Sequence, residues 1–246
     1  ATVMHLRALR DSASERGFED GVWSRMAEMG WAGIAIPEEF GGLGYGYTGL
    51  GIVLEQAGRN LSTGPLQSAV LVAATLIAEL GNPEQKQRML PAIASGELLV
   101  TLALQEGNHH APLQTASSAA RDGDGYVING SKQWITNSVE GNVLLVLVKT
   151  DMHIEPRHRG MSLLLVEKGA GYQARKLSKL GYRGVDTGEV AFADVRVPQT
   201  HLIGEQEGQG LKQILAGLAL GRINVAARGV GVARAALDAS LNYARV

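Results

Sequence analysis

Residues 130–137, Gly-Ser-Lys-Gln-Trp-Ile-Thr-Asn, place a rigid aromatic, a hydroxyl and an amide on one extended segment. Alternate side chains of a strand point to opposite faces, so Trp134 and Thr136 share one face and Ile135 and Asn137 the other. An indole packs against the edge of a flat polar ring while a neighbouring hydroxyl donates to a ring atom. The same eight residues also suit an ordinary strand end with a half-buried tryptophan, and both readings stand at this point. Two further groupings could do chemistry. His109 and His110 are adjacent, but consecutive loop imidazoles rarely converge on one ion and no third ligand has suitable spacing; contact with substrate or solvent suits them better. The cluster Gly41-Gly42-Leu43-Gly44-Tyr45-Gly46 lacks the strand-before, helix-after context of a phosphate-binding loop, and a tight turn between helices accounts for it.

The chain has 246 residues, 45% hydrophobic and 19% charged, enough to bury one large core or two smaller ones. Its net charge is −1, with no basic stripe, so nucleic acid is not an expected partner. The absence of cysteine excludes disulfides, thiol catalysis and thiolate metal sites. No uninterrupted apolar run approaches the roughly 18–20 residues that span a bilayer, so no membrane span is expected. With no secretory signal in the sequence, a cytoplasmic location is expected. The 32 glycines are about twice the usual share of roughly 7%, and they cluster at punctuating positions, which indicates sharp turns between well-formed elements.

Periodicity divides the chain into three: residues 1–97 helical, 98–205 of β character, 206–246 helical again. In the first part Val22, Met26, Met29 and Gly30 continue one apolar face. Helical spacing resumes over Thr48–Gly58 and Val70–Leu80, and then over Glu84–Ala94, where Gln85, Lys86 and Arg88 are expected outside and Met89, Leu90 and Ile93 inside. Gly81-Asn82-Pro83 separates the last two as a stop followed by a start. The middle part reads as strands at Leu98–Leu104, Ser117–Arg121, Gly125–Ile128, Val143–Val148, Ser162–Val166, Tyr172–Lys176 and Glu189–Val197. Asp122-Gly123-Asp124-Gly125 is a hairpin turn, since both residue types tolerate positive φ. Short strands joined in this way predict a closed or nearly closed antiparallel sheet. From Gly210 one helical pattern runs to the end, and Gly217, Gly221, Gly229 and Gly231 within it are tolerable where another helix comes close. The first turn at Ala1 is uncapped and Val246 carries no stop signal, so further residues are expected at both ends.

This order of parts, with its motifs, resembles the acyl-CoA dehydrogenase family. The motifs are Ile36-Pro37-Glu38-Glu39-Phe40-Gly41-Gly42-Leu43-Gly44, Asp122-Gly123-Asp124-Gly125-Tyr126-Val127-Ile128-Asn129-Gly130, Lys132-Gln133-Trp134-Ile135-Thr136-Asn137, Asp194-Val195-Arg196-Val197-Pro198, and Gly221-Arg222-Ile223 with its alanine-rich continuation. The resemblance covers essentially the whole chain. It implies a multidomain α+β fold: an N-terminal all-α domain, a middle antiparallel β-barrel domain and the start of a C-terminal helical bundle. It also implies FAD-dependent α,β-dehydrogenation of an acyl-CoA thioester in fatty-acid metabolism, in which a glutamate removes the α proton and the β hydrogen leaves as hydride to flavin N5. An electron-transferring flavoprotein as oxidant and a homotetramer, or dimer of dimers, follow from the same resemblance.

Site residues carry over by position. Trp134, Ile135 and Thr136 match the flavin-contacting segment, and Leu102, Leu104 and Gln105 the other flavin strand. There the family reads Thr-Glu-Pro and later Gly-Ser-Asp, whereas this chain has Gln105-Glu106-Gly107-Asn108-His109-His110-Ala111-Pro112. Gln105 offers a longer amide in place of a hydroxyl, and His109, His110 and Ala111 stand near the usual substrate-contacting serine. Arg183, with Asp186 and Thr187, matches a turn beside the CoA region. Arg222 matches an arginine near the CoA chain, although a helix arginine paired with a buried carboxylate accounts for it equally, and Ala219, Leu220 and Gly221 are expected along the acyl channel. Gly221 stands where some members carry the catalytic glutamate, so the base is expected beyond Val246. These departures leave open a non-catalytic partner subunit of a mixed-chain assembly, and a flavin oxidase or monooxygenase on the same fold.

Overall fold

A computed structural model describes residues 18–66 and 72–245, together with positions 4, 7, 8 and 11. The helices are α1 (Asp20–Glu28), α2 (Gly46–Arg59), α3 (Ala74–Leu80), α4 (Pro83–Ala94) and α5 (Gly210–Ala244). The strands are β1 (Val100–Ala103), β2 (Ser118–Asp122), β3 (Gly125–Thr136), β4 (Val143–Lys149), β5 (Met161–Glu167), β6 (Gln173–Lys176) and β7 (Thr187–Pro198). The expected start of the third helix at Val70 lies outside the described residues.

Two helix faces differ from expectation. On α1 the buried residues are Trp23 and Met26, while Val22 and Met29 are exposed; the Trp23 indole N–H donates to the Gly96 carbonyl at 2.9 Å and anchors the helix by that side. On α4 Gln85 is buried rather than outside. It closes a capping box with Asn82, and its amide donates to the Thr200 carbonyl at 2.7 Å, so a polar residue is satisfied in the interior. Met89, Leu90 and Ile93 are buried as the spacing requires.

The seven strands form one curled sheet in the order β1-β4-β2-β3-β7-β6, with β5 on β4. It is mixed and open, not wholly antiparallel: β1 runs parallel to β4, and β2 meets β4 in parallel at Ser118 and Lys149. The β2–β3 hairpin, whose two-residue turn lies at Gly123-Asp124, separates β1 from β4 in the chain, and turn signals alone do not reveal such a crossover. Consecutive apolar residues make β4 and β5 buried on both faces, from Val143 to Val148 and Met161 to Val166. One face meets α3, α4 and the start of α5; the other meets Tyr126, Ile128, Ile135 and Phe192 inside the curl.

Helix α5 lies along α2. A Cβ at Gly58 would overlap the Arg228 backbone and one at Gly231 the Glu55 carbonyl, so these glycines permit the close approach. Arg59–Asp238 and Arg234–Glu55 ion pairs flank it. Gly217 similarly admits Val72 and Leu76, but Gly229 has open space around it. Among the described residues α5 is long and apolar enough to cross a membrane by length and composition, although Lys212, Arg222, Arg228, Arg234 and Asp238 interrupt its apolar run. Its Gly210–Gly217 portion is instead built into the core beside β5, through Leu211 and Ile214.

Candidate active site

The sheet side of the site is made by β1 and the end of β3. Burial along β3 alternates with Tyr126, Ile128 and Lys132 inside, a phase that would put Trp134 and Thr136 inside as well. The register against β7 slips by one between Lys132 and Ile135, and Trp134 takes φ 61°. This bulge resets the phase: Trp134 turns outward, 47% exposed, while Ile135 and Asn137 go into the core. Positive φ is costly for a bulky residue, and the surroundings hold it. The Gln133 N–H donates to the Gln105 carbonyl at 2.8 Å, and the Thr101 hydroxyl donates to the Thr136 carbonyl.

Two buried polar latches fix this bulge. Before it, Lys132 is wholly buried, its ammonium 2.5 Å from Glu106 Oε1 and 3.3 Å from the Leu104 carbonyl. Glu106 also accepts from the Ala116 and Ser117 N–H groups at 2.6 and 3.1 Å. Burial pulls the Lys132 ammonium below its ordinary pKa and Glu106 pulls it partly back. Burial pushes the Glu106 carboxyl up, but Lys132 and the backbone donors outweigh it and hold it below the ordinary value. After the bulge, Asp186 is buried and accepts from Asn137 Nδ2 at 3.0 Å and from the Val139 N–H at 2.9 Å. Burial raises the Asp186 carboxyl, with those donors and Lys176 and Lys179 opposing.

Across from these strands, α5 completes a cleft of about 710 Å³. The sheet supplies Thr101, Leu102, Trp134 and Thr136; the helix supplies Leu218, Gly221, Arg222, Asn224, Val225 and Ala226; His110 and Val72 complete the lining. Most of this lining is apolar, as suits a small-molecule cleft with few oriented polar groups. A Cβ at Gly221 would touch only Val72, so the glycine keeps that stretch of the helix open. Among the described residues no carboxylate lines the cleft and no hydrogen bond or ion pair engages the exposed Arg222, so its charge is free to meet an anion.

Of the residues singled out from sequence, Leu102, His110, Trp134, Thr136 and Arg222 therefore come together. Leu104 and Ile135 lie buried behind the cleft. The Gln105 side chain does not reach it: the amide N–H groups donate to the His109 and Gly107 carbonyls, and Oε1 meets His110 Nδ1 at 3.1 Å, so the longer side chain ties up its own loop. His109 is exposed on that loop and Ala111 half-buried, neither in the cleft lining. Arg183 is exposed and its Nε donates to the Lys179 carbonyl at 3.0 Å. Ala219 is exposed, one residue round the helix from the lining Leu218. Thr101 and Asn224 were not singled out. A threonine among apolar β1 residues carries little signal, but an asparagine in line with the apolar positions of a long helix does.

The chain matches three family descriptions in succession: "Acyl-CoA dehydrogenase, N-terminal domain" over residues 4–97, the middle domain over 101–195 and the C-terminal domain over 208–246. It is 38% identical over 231 residues to a (2S)-methylsuccinyl-CoA dehydrogenase of Cereibacter sphaeroides, covering 89% of this chain and 42% of that protein. It is 34% identical over 232 residues to the mitochondrial isovaleryl-CoA dehydrogenase of Pongo abelii, covering 91% and 54%. A solved glutaryl-coenzyme A dehydrogenase–glutaryl-CoA complex superposes with a TM-score of 0.86 at 30% identity, over 98% of this chain and 65% of that one. The chain thus spans about half the length of the curated relatives it matches.

Proposed function

The chain belongs to the acyl-CoA dehydrogenase family, and from that premise we propose that it forms the flavin- and acyl-contacting part of an enzyme that dehydrogenates an acyl-CoA thioester at its α and β carbons. The observation that carries this reading is the cleft in which the outward Trp134 and Thr136 face the α5 residues Gly221, Arg222 and Val225. Its lining fits the ring of FAD: an exposed indole offers an apolar face to a flat ring, and Thr136 offers a hydroxyl. Trp134, Thr136, Thr101 and Leu102 would hold the isoalloxazine, and when bound FAD supplies the acceptor for the β hydrogen.

The residues of this chain do the rest by placement. Apolar Leu102, Leu218 and Val225 exclude water from the acyl group, which strengthens electrostatic interactions made there. Arg222 attracts the anionic CoA carrier, and His110 offers an imidazole at the rim. The general base comes from a segment beyond Val246, because Gly221 stands where some members of the family carry it. Assembly as a homotetramer or dimer of dimers, electron delivery to an electron-transferring flavoprotein and a cytoplasmic setting belong to the same proposal.

A non-catalytic partner subunit is the second reading, favoured by the engagement of Gln105 with its own loop. The full-length protein separates the two. A yellow protein whose flavin absorbance is bleached anaerobically by an acyl-CoA supports the enzyme, and a colourless one the partner subunit.

A further inference from the structure

Tyr182 stands in the turn between β6 and β7 with φ 54°, a left-handed backbone that favours glycine, although a glycine, Gly181, is next to it in the chain. Its ring is half-exposed, and two cations lie against it: the Arg228 guanidinium 5.1 Å and the Lys179 ammonium 5.6 Å from the ring centroid. Arg228 also hydrogen-bonds the Tyr182 hydroxyl. A bulky residue persists in so costly a conformation only where its surroundings hold it.

The two cations belong to opposite walls of the cleft. Lys179 donates to the Thr187 hydroxyl at 2.8 Å and to the Val185 and Tyr182 carbonyls at 2.6 and 2.9 Å. Thr187 is the β7 partner of Thr136, which lines the cleft from the sheet side. Arg228 lies on α5 three residues beyond Val225 and seven beyond Gly221, on the helix stripe that lines the cleft from the other side. Its backbone is pressed against α2, where a Cβ at Gly58 would overlap it. Sheet, turn, α5 and α2 are thus joined in series through one tyrosine ring.

We propose that Tyr182 and Arg228 are positioning residues, whose contact holds the β6–β7 turn against α5 and sets the separation of the cleft walls before a ligand arrives. The proposal rests on the acyl-CoA reading of the cleft. Walls set in advance spare the ligand the cost of ordering them, so the contact strengthens binding. Ground state and transition state gain from it alike. Its loss therefore raises KM and Kd and leaves kcat nearly unchanged, a split that a contact serving stability alone would not produce.

The test uses the full-length protein with butanoyl-CoA, measuring Kd by calorimetry together with KM and kcat. Nitroxide labels on Leu180→Cys and Val230→Cys, two exposed positions of a chain without cysteine, report the turn-to-helix distance independently of any ligand. Tyr182→Leu and Arg228→Met are each expected to raise Kd and KM about threefold or more, with kcat within about twofold, and to broaden the label distance. They remove the contact from opposite sides, so one answers if the other does not fold. Tyr182→Phe keeps the ring beside the guanidinium and is expected to recover most of the affinity. The double variant Tyr182→Leu/Arg228→Met should bind no more weakly than either single variant, as two groups sharing one contact do. Additive losses, an unchanged Kd, a fall in kcat with KM unmoved, a Tyr182→Phe as weak as Tyr182→Leu, or an unchanged label distance each overturn the proposal. A wild type that binds no butanoyl-CoA overturns the acyl-CoA reading and this proposal with it, an outcome distinct from wild type and variants binding equally well.

Discussion

Lys132 and Glu106 meet inside the protein, ammonium to carboxylate at 2.5 Å, with the lysine side chain wholly buried and the glutamate side chain 19% exposed. The pair joins β3, just before its bulge, to the loop that follows β1. Both segments carry cleft residues, Trp134 and Thr136 on one and His110 on the other. Their mutual position therefore depends on a buried interaction between two residues that do not themselves line the cleft.

Glu106→Gln leaves the buried ammonium without a counter-charge, and breaking such a pair costs about 3 kcal/mol. Because the folded-state carboxyl lies below its ordinary value, its contribution is fully present above the unfolded pKa near 4.5. It is lost as pH falls through the lower folded value. Denaturant unfolding of wild type and Glu106→Gln should show a wide stability gap at neutral pH that narrows below pH 4.5; a gap independent of pH would contradict the assignment.

Gly229 and Gly231 sit two residues apart on α5 and should respond oppositely to alanine. At Gly231 the added methyl collides with the Glu55 backbone and forces α2 and α5 apart, at about 1–3 kcal/mol. At Gly229 it meets nothing, and the helix gains about 1 kcal/mol from propensity alone. Thermal unfolding of the two variants checks the signs.

Asn137 combines a positive φ of 56° with a hydrogen bond to buried Asp186. Asn137→Ala loses both the bond and a residue tolerant of that backbone, at about 2 kcal/mol or more. Asn137→Gly keeps the backbone tolerance and loses the bond, so it should be the milder change. Asp186→Ala also strands the Val139 N–H and should be harsher than either. Hydrogen exchange at the Trp134–Val139 amides should quicken in the order glycine, alanine, Asp186→Ala.

Much of this was legible in the sequence because it follows from local rules. Apolar runs located β4 and β5, Asp122-Gly123-Asp124-Gly125 located the hairpin, and Gly81-Asn82-Pro83 located the break between α3 and α4. What escaped depends on contacts distant in the chain. The parallel β1–β4 pairing is set by a crossover that turn chemistry does not encode. The bulge at Trp134 appears only once β3 is registered on β7, and the facing of Trp134 and Thr136 was deduced from their own alternation without it. Gln85 and Gln105 were misplaced for one reason: a long amide reads as exposed or ligand-facing until backbone carbonyls, Thr200 for one and His109 for the other, are found within its reach. Asn224 was passed over in the sequence, because an asparagine within a long helix gains its meaning only once the cleft beside it is known.

The most direct measurement is the FAD content and FAD affinity of the full-length protein beside Trp134→Ala and Thr136→Val. If the outward end of β3 holds the flavin ring, wild type purifies with close to one FAD per chain. Trp134→Ala then loses affinity about tenfold or more while remaining folded by circular dichroism, and Thr136→Val loses less. Wild-type FAD affinity in a folded Trp134→Ala protein would contradict the account.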